Sequence, residues 1–214
     1  MRKYIQAGAL FVLVALPALV FVFLKLFGRN HFEVPRFNPV TNAAGEVVKV
    51  GKDTVFRAVA TIEMQDSKGL KVVVPANQHI SVLAFVEDSC EADCQKRQKQ
   101  LLRLQEMFGA NKEVKLFSIL SINSGQKLNE LASQFKANAT KWQFVQTSSE
   151  RINAFKSKEI FLKNPTLSKT FDFDKSFVLI DKQHFVRGFY NGTNPEDVDR
   201  LSVEIKILLD NYKE

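Results

Sequence analysis

Hydrophobic and polar positions divide the chain into an apolar N-terminal stretch and a longer part in which strand and helix patterns alternate. From Ile5 to Leu24 the sequence carries no charged residue. About 20 apolar residues are enough for a helix to cross a hydrocarbon core of ~30 Å. The run continues through "VFVFLKLF" without a good signal cleavage site, and no cysteine lies near it to carry a lipid. Residues 1–29 are therefore predicted to form an uncleaved membrane anchor, rather than a cleaved signal peptide.

The flanks of this stretch bear on its orientation. Arg2 and Lys3 precede the stretch, and Lys25 and Arg29 follow it. Because a short, charged N-terminal tail usually stays inside, we expect the rest of the chain on the periplasmic or an equivalent extracytoplasmic side. Residues 30–52, with two prolines and little periodicity, are predicted to be a tether.

From residue 53 onward, apolar runs predict strands that alternate with helices. Two runs flanking "DSKG" predict a hairpin, and "HISVLAFV" predicts a central strand. A helix is expected from the cysteine segment to Gly109, with Leu101, Leu104 and Phe108 on one stripe. The later predictions are a strand at Glu113–Ile122, a helix capped by Ser124, a strand at "KWQFVQ", a helix capped by Thr147, a strand pair in "FDFDKSFVLID" and "HFVRGFYNGT", and a helix from Asn194 to about Tyr212. This order predicts an α/β thioredoxin-like sandwich, a central mixed sheet flanked by helices, over residues 53–214.

The chain has two cysteines, Cys90 and Cys94, in "DSCEADCQKRQKQ" directly after the central strand. Asp88 and Glu91 have the spacing of a capping box, which places Cys90 in the first turn of the helix. A helix N-terminus favours a thiolate, whereas the acidic residues in this segment disfavour it. Three interpretations stay open: a reversible thiol or Cu(I) pair, a static disulfide that an oxidising compartment would preserve, and two small buried residues without chemistry.

Charge and motifs exclude other functions. The formal net charge is +7, but Lys and Arg alternate with Asp and Glu instead of forming a basic stripe, so we do not expect nucleic-acid binding. There is no Ser-His-Asp order, Gly-rich phosphate loop or cluster of His and carboxylates. The three histidines, His31, His79 and His184, are interpreted as surface or turn residues.

Three stretches, within about Val55 to Leu209, carry a resemblance to a known family. They are "VLAFVEDSCEADC", "VKLFSILSIN" and "SFVLIDKQHFVRGFYNGTNPEDVDRL". In this order they resemble the Sco/SenC family, membrane-anchored thioredoxin-fold proteins linked to copper delivery for cytochrome c oxidase.

The resemblance implies roles for particular residues. It implies that Cys90 and Cys94 are a redox pair and the ligands of Cu(I), joined by a histidine on the loop before "SFVLID". In this chain that place falls near Phe173, and Gln95 stands where the family has a proline. Two thiolates suit Cu(I), whereas Cu(II) also prefers a nitrogen ligand.

The expected function is accessory to the assembly of the copper site of a respiratory oxidase, by a divergent family member. Its dithiol would bind Cu(I) or exchange disulfides, and its partner would be an oxidase subunit or another thiol or copper protein. Two alternatives stay open. One is a general periplasmic thiol-disulfide oxidoreductase, although the chain lacks the Trp-Cys-x-x-Cys arrangement of an ordinary thioredoxin. The other is a redox-inactive protein that acts through protein contacts.

Overall fold

A computed structural model of the protein describes residues 2–27, 33–86, 91–122, 127–160, 172 and 175–213, with side chains in the first helix described for residues 11–23. The chain divides into two compact units, Met1–Glu33 and Val34–Glu214. The first unit contains helix α1, Arg2–Phe27. Among the helices of the described residues, none combines the length and the apolar content that a membrane crossing requires.

The second unit is built on a mixed sheet. A short hairpin precedes it, formed by β1 (Lys49–Val50) and β2 (Asp53–Thr54). Among the described residues the sheet has seven strands: β3 (Ile62–Gln65), β4 (Lys71–Val74), β5 (Ile80–Phe85), β6 (Val114–Ser121), β7 (Trp142–Thr147), β8 (Ser176–Ile180) and β9 (Val186–Asn191). Their order is β4-β3-β7-β6-β5-β8-β9. The central strands β5, β6 and β7 are parallel, and every other neighbouring pair is antiparallel.

Helices cover both faces of this sheet. They are α2 (Ala92–Met107), α3 (Leu128–Gln134), α4 (Ser149–Phe155), which continues into a π-helical turn (Lys156–Ile160), and α5 (Pro195–Asn211). Because side chains alternate along a strand, Val82 and Ala84 of β5 face the cluster that contains Leu101 and Leu104 of α2. The intervening side chains of β5 face a second cluster with Ile152 and Phe155 of α4. The six residues of β5 are all buried, as expected for a strand covered on both faces.

Three helix starts differ from the sequence prediction. Helix α3 begins at Leu128 with Lys127 as its N-cap residue, later than a cap at Ser124 requires, and Ser124 itself lies outside the described residues. Helix α4 is capped by Ser148, whose side chain accepts a hydrogen bond from the Arg151 amide, and not by the preceding Thr147. Helix α2 begins at Ala92, because Glu91 has an extended backbone and is itself the N-cap residue. The helix therefore starts later than a capping box at Asp88 requires, and both Asp88 and Cys90 lie outside the described residues. The predicted cap of α5 is confirmed, since the Asn194 side chain accepts from the Glu196 amide.

Part of the segment predicted as a tether packs on the sheet. Val34 is buried, and the Phe37 amide donates to the Val186 carbonyl at 2.9 Å. The rings of Phe37 and Phe189 meet edge to face, with their centroids 5.4 Å apart. The compact unit therefore begins well before residue 53, and β9 is covered by the chain that leads into the domain.

Candidate redox and copper site

Strand directions place the cysteine segment and the entry to β8 at the same edge of the sheet. The parallel strands β5 and β6 end at this edge, and β8, which is antiparallel to β5, begins there. Ala84 pairs with Phe177, so the chain leaving β5 lies beside the chain entering β8. The described residues that flank the two segments, the end of β5 and Lys175 before β8, therefore lie at this edge, whereas Phe173 is outside the described residues.

Cys94 is the third residue of α2, is fully buried and is disulfide-bonded. The one other cysteine of the chain, Cys90, lies outside the described residues. A buried, disulfide-bonded Cys94 agrees with both the reversible and the static interpretation of the cysteine pair. Its position after β5 is the one that the sequence order predicts.

Arg97, one turn further along α2, is also fully buried. Its guanidinium Nη1 donates to the Phe85 carbonyl, the last residue of β5, at 2.9 Å. The chain after β9 passes close over the stem of this side chain: a methyl group added at Gly192 would lie 3.0 Å from Arg97 Cγ and 2.8 Å from the Phe177 ring. A glycine is therefore required at this crossing, and the Arg97 stem is enclosed between α2, β8 and the residue after β9.

Sequence reasoning did not predict the burial of Arg97, although the helical spacing carries a signal. Residues four apart share a face of a helix, and Arg97 precedes Leu101 by four positions. The predicted apolar stripe, extended by one turn towards the N-terminus, passes through Arg97.

A second buried polar group holds α2 on the sheet. Gln98 accepts a hydrogen bond from the Ser118 hydroxyl of β6 at 2.8 Å, and the Trp142 indole of β7 donates to the same hydroxyl at 3.0 Å. All three side chains are buried. Because a buried hydrogen-bonded network has few alternative arrangements, it fixes the rotation of α2 about its axis and so the place of Cys94.

The rim of the site is charged and paired. Lys175, at the entry of β8, lies 3.1 Å from one carboxylate oxygen of Asp93, and Lys96 lies 3.3 Å from the other. The hydrogen bond from Lys175, followed by that from Lys96, lowers the pKa of Asp93 below its ordinary value. Lys175 also approaches Asp172 at 3.7 Å. The acidity near the cysteines, which the sequence predicts to disfavour a thiolate, is thus partly neutralised by lysines.

The described histidines lie away from this edge. His79 precedes β5, and its Nδ1 is 2.6 Å from the Asn77 carbonyl. His184 lies in the turn after β8, with a positive φ of 68° that explains why a glycine would also suit this place. Both positions are at the opposite end of the sheet from the end of β5, and His31 is outside the described residues. Within the described part of the chain, no three His, Cys, Asp or Glu side chains are grouped to hold a metal ion.

No protein-family model and no curated protein matches this chain. Solved structures are similar to it in fold. A SCO1/SenC family lipoprotein from Bacillus anthracis str. Ames has a TM-score of 0.60 at 18% identity, over 71% of this chain and 95% of its own. BsSco, a member of the Sco family of cytochrome c oxidase assembly proteins with a disulfide switch, has a TM-score of 0.57 at 21% identity, over 70% of this chain and 91% of its own. Copper-bound ScoI of Arabidopsis thaliana has a TM-score of 0.52 at 14% identity, over 70% of this chain and 99% of its own.

The class that the fold defines is the thioredoxin-like α/β sandwich, which confirms the sequence prediction for the domain. Within that class, the chain has a Sco-like fold, shared with structures of the Sco/SenC family.

Proposed function

We propose that the protein is a divergent, membrane-anchored member of the Sco/SenC type, accessory to assembly of the copper site of a respiratory oxidase through Cys90 and Cys94. The observation that carries the proposal is the disulfide of Cys94, in the first turn of the helix that follows β5, in a Sco-like fold. The known roles belong to the neighbours: BsSco is an oxidase assembly protein with a disulfide switch, and ScoI has been solved with copper bound. They support the same kind of role for this chain, with an oxidase subunit or another thiol or copper protein as the partner.

Copper would be the cargo of this protein. Reduction of the disulfide by two electrons yields two thiols four positions apart, and their thiolates suit the soft ion Cu(I). Cu(II) prefers an additional nitrogen ligand, but each described histidine lies at the far end of the sheet. Asp93, the carboxylate nearest along the helix, is held by two lysines. The residues present therefore fit a Cu(I) site of two thiolates.

A second function, general thiol-disulfide exchange, is favoured by the same disulfide. It requires the two cysteines alone and no third ligand. If the disulfide resists reduction, the remaining function is that of a redox-inactive assembly factor acting through protein contacts.

We further infer that α1 anchors the protein, with residues 1–29 as the anchor. The compact unit that begins at Val34 contains the thioredoxin-like domain of residues 53–214 together with the packed part of the predicted tether, residues 30–52. Helix α1 has 26 residues; at 1.5 Å per residue this gives about 39 Å, more than the ~30 Å of a hydrocarbon core. Its described side chains include exposed Phe11, Leu13 and Phe21, which gain by leaving water. The disulfide supports an extracytoplasmic location, because such bonds persist in oxidising compartments.

Titration of the reduced full chain in detergent with Cu(I), against a competing chelator, tests the function. We expect one Cu(I) per chain, lost in both Cys90→Ser and Cys94→Ser and retained in His79→Ala, the matched control for a ligand at the far end of the sheet. Failure to bind Cu(I), with a disulfide reducible near the thioredoxin potential of about −270 mV, would select thiol-disulfide exchange instead. If the reduced cysteines do not bind Cu(I) and the disulfide does not exchange with other thiols, the remaining function is that of an assembly factor acting through protein contacts.

A further inference from the structure

Two neighbouring grooves meet at Arg151, on the edge of the sheet where β6 and β7 end. Helix α4 begins directly after β7, and Arg151 lies in its first turn. One groove, of about 290 Å³, lies between the start of α4, β3 and Ile122 at the end of β6. The other, of about 260 Å³, lies between α4, the π-helical turn at Lys158 and the chain that enters β3. We call the surface of these two grooves the Arg151 face.

The carboxylates that line this face already have partners. Glu63 lies 2.9 Å from Lys71, within the hairpin of β3 and β4. Glu159 lies 3.1 Å from Arg57, and its other oxygen accepts a hydrogen bond from the Ala60 amide at 3.1 Å. Each of these two negative charges is therefore matched by a cation of its own.

Arg151 and Lys158 are positive charges without such a match. Both side chains are exposed, and neither forms an ion pair within the part of the chain that the structure describes. Arg151 contributes to lowering the pKa of Glu63, but less than the hydrogen bond and the charge of Lys71 do. The neighbouring Glu150 is held by hydrogen bonds at the start of α4, first from its own backbone, which lower its pKa. The face therefore carries two positive charges in excess of its ion pairs.

Strand β3 also offers main-chain groups to this face. Gln65 pairs with Gln146, and β7 ends one residue later, so residues 62–64 have β4 on one side and the grooves on the other. Main-chain N–H and C=O groups point to alternate sides along an antiparallel strand. Part of those in residues 62–64 therefore opens into the grooves, where an extended peptide can pair with them as an added strand.

The larger groove contains an exposed apolar side chain. Ile122 is 51% exposed, unlike residues 116–121 of β6 before it, which are all buried. Met64 of β3, which is buried, lines the same groove. An apolar contact surrounded by polar and charged side chains is typical of a place where a side chain of a protein partner is desolvated.

The position of the face relates it to the helix that carries Cys94. Strand β6 lies between β5 and β7, and the three strands are parallel, so they end at the same edge of the sheet. Helix α2 follows β5 and begins at this edge. A partner on the Arg151 face therefore lies at the edge of the sheet where α2 begins.

We propose that the Arg151 face docks an extended, acidic segment of a protein partner. The segment pairs with β3 through its main chain, places an apolar side chain on Ile122 and directs carboxylates to Arg151 and Lys158. An anionic lipid headgroup or free phosphate would satisfy the two cations, but it has neither the amides that pair with a strand nor an apolar side chain. The inference goes beyond the proposed function and stands without it, because docking requires neither Cu(I) nor thiol exchange.

The test is the binding of a fluorescent peptide of alternating Glu and Val, about eight residues long, to the full chain in an uncharged detergent, followed by anisotropy. We expect saturable binding that weakens about threefold in Arg151→Met and in Lys158→Met, and about tenfold in the double variant. Lys112→Met removes an exposed lysine before β6, at the opposite edge of the sheet, and is the matched control. It should change the affinity by less than about 1.5-fold, because salt screens a charge at that distance. Arg151→Lys, which retains the charge, should retain most of the wild-type affinity.

The apolar contact and the strand pairing have tests of their own. Ile122→Asp replaces the apolar side chain by a carboxylate and should weaken binding of the Glu–Val peptide at least about fivefold. The same peptide N-methylated at every residue has no amide hydrogen for strand pairing and should bind at least about tenfold more weakly. A peptide with Lys in place of Glu should not bind.

Four results would overturn the inference: no saturable binding of the Glu–Val peptide, equal binding of the Lys–Val peptide, equal losses in Arg151→Met and Lys112→Met, or an Arg151→Lys variant as weak as Arg151→Met. Undiminished binding of the N-methylated peptide, or of the Glu–Val peptide to Ile122→Asp, would overturn the docking mode. Displacement of the peptide by glycerophosphate, at an ionic strength where NaCl does not displace it, would identify a lipid headgroup as the ligand instead. Loss of Cu(I) binding or of thiol exchange leaves the inference standing, so the two proposals fail separately.

Discussion

Single buried charges fix parts of this chain that apolar packing leaves undetermined. Asp181 and Arg187 are buried on either side of the β8–β9 turn and are joined at 2.8 Å. The second oxygen of Asp181 accepts from two amides of the turn, and Arg187 also donates to the carbonyls of Val34 and Pro35. One ion pair therefore connects the turn to the segment that leads into the domain.

Removal of Arg187 should destabilise the fold strongly. Arg187→Met leaves the buried Asp181 carboxylate without its cation, and loss of one partner of a buried pair typically costs about 3–5 kcal/mol. Urea denaturation of the oxidised chain measures this loss. Lys71→Met, which breaks an exposed pair with Glu63 at 2.9 Å, is the control and should cost less than about 1 kcal/mol. Equal losses in the two variants would show that the buried pair does not stabilise the domain.

Prediction from sequence succeeds for apolar residues of α2 and fails for its polar ones. The stripe of Leu101, Leu104 and Phe108 is predicted and is buried. Arg97 and Gln98 are also buried, and hydropathy gives no reason for it. Their burial depends on acceptors and donors supplied by other strands, the Phe85 carbonyl and the Ser118 hydroxyl, and such long-range partners are not encoded in the local pattern.

At the scale of secondary-structure elements, an ion pair joins the start of α2 to the residue before β8, the strand that pairs with β5. Lys175 precedes β8 and Asp93 lies in the first turn of α2, and the two side chains meet at 3.1 Å. Both are partly exposed, so the pair contributes to orientation more than to stability. It holds the two segments at the edge of the sheet where the cysteine segment lies.

The lowered pKa of Asp93 makes this contact measurable. Lys175→Met should raise the pKa of Asp93 towards its ordinary value, because the hydrogen bond from Lys175 is the largest cause of the lowering. A folded-state pKa below that of the unfolded chain means that the stabilisation is present above the ordinary pKa and is lost as the pH falls through the lowered one. Carboxyl resonances followed by NMR through an acid titration report this pKa directly.

The exposed pair of Lys71 and Glu63 is the control for this titration. Lys71→Met should raise the pKa of Glu63, whose lowering comes first from the hydrogen bond of Lys71, and should leave Asp93 unchanged. An Asp93 titration that does not move in Lys175→Met would refute the contact between α2 and the entry of β8.

Element types are predicted better than element ends. The hairpin of β3 and β4, the buried strand β5 and the cap of α5 all follow from short sequence patterns, and each is confirmed. The starts of α2, α3 and α4 are displaced. For α4 the reason is that Thr147 and Ser148 are both good caps and the sequence does not decide between them. The π-helical turn after α4 has no pattern of its own and is not predicted.

At the scale of the whole molecule, an apolar helical unit precedes a domain that carries a disulfide. The two features are independent in the sequence, and both support an extracytoplasmic domain held at a membrane. Sequence patterns predict the thioredoxin-like fold of this domain, whereas they leave open whether Cys94 is buried and disulfide-bonded, which only the folded chain decides.

The anchor proposal predicts that α1 alone determines membrane association. The full chain reconstituted with phospholipid vesicles should float with them in a density gradient, and a chain beginning at Val34, where the second compact unit begins, should not. Val14→Arg places a charge near the middle of α1, which costs about 3 kcal/mol at the centre of a bilayer and should weaken vesicle binding about a hundredfold. Val50→Arg, the control, changes a valine of comparable exposure in the β1–β2 hairpin and should leave vesicle binding unchanged. Equal effects of the two substitutions, or flotation of the shortened chain, would place the membrane contact in the domain instead.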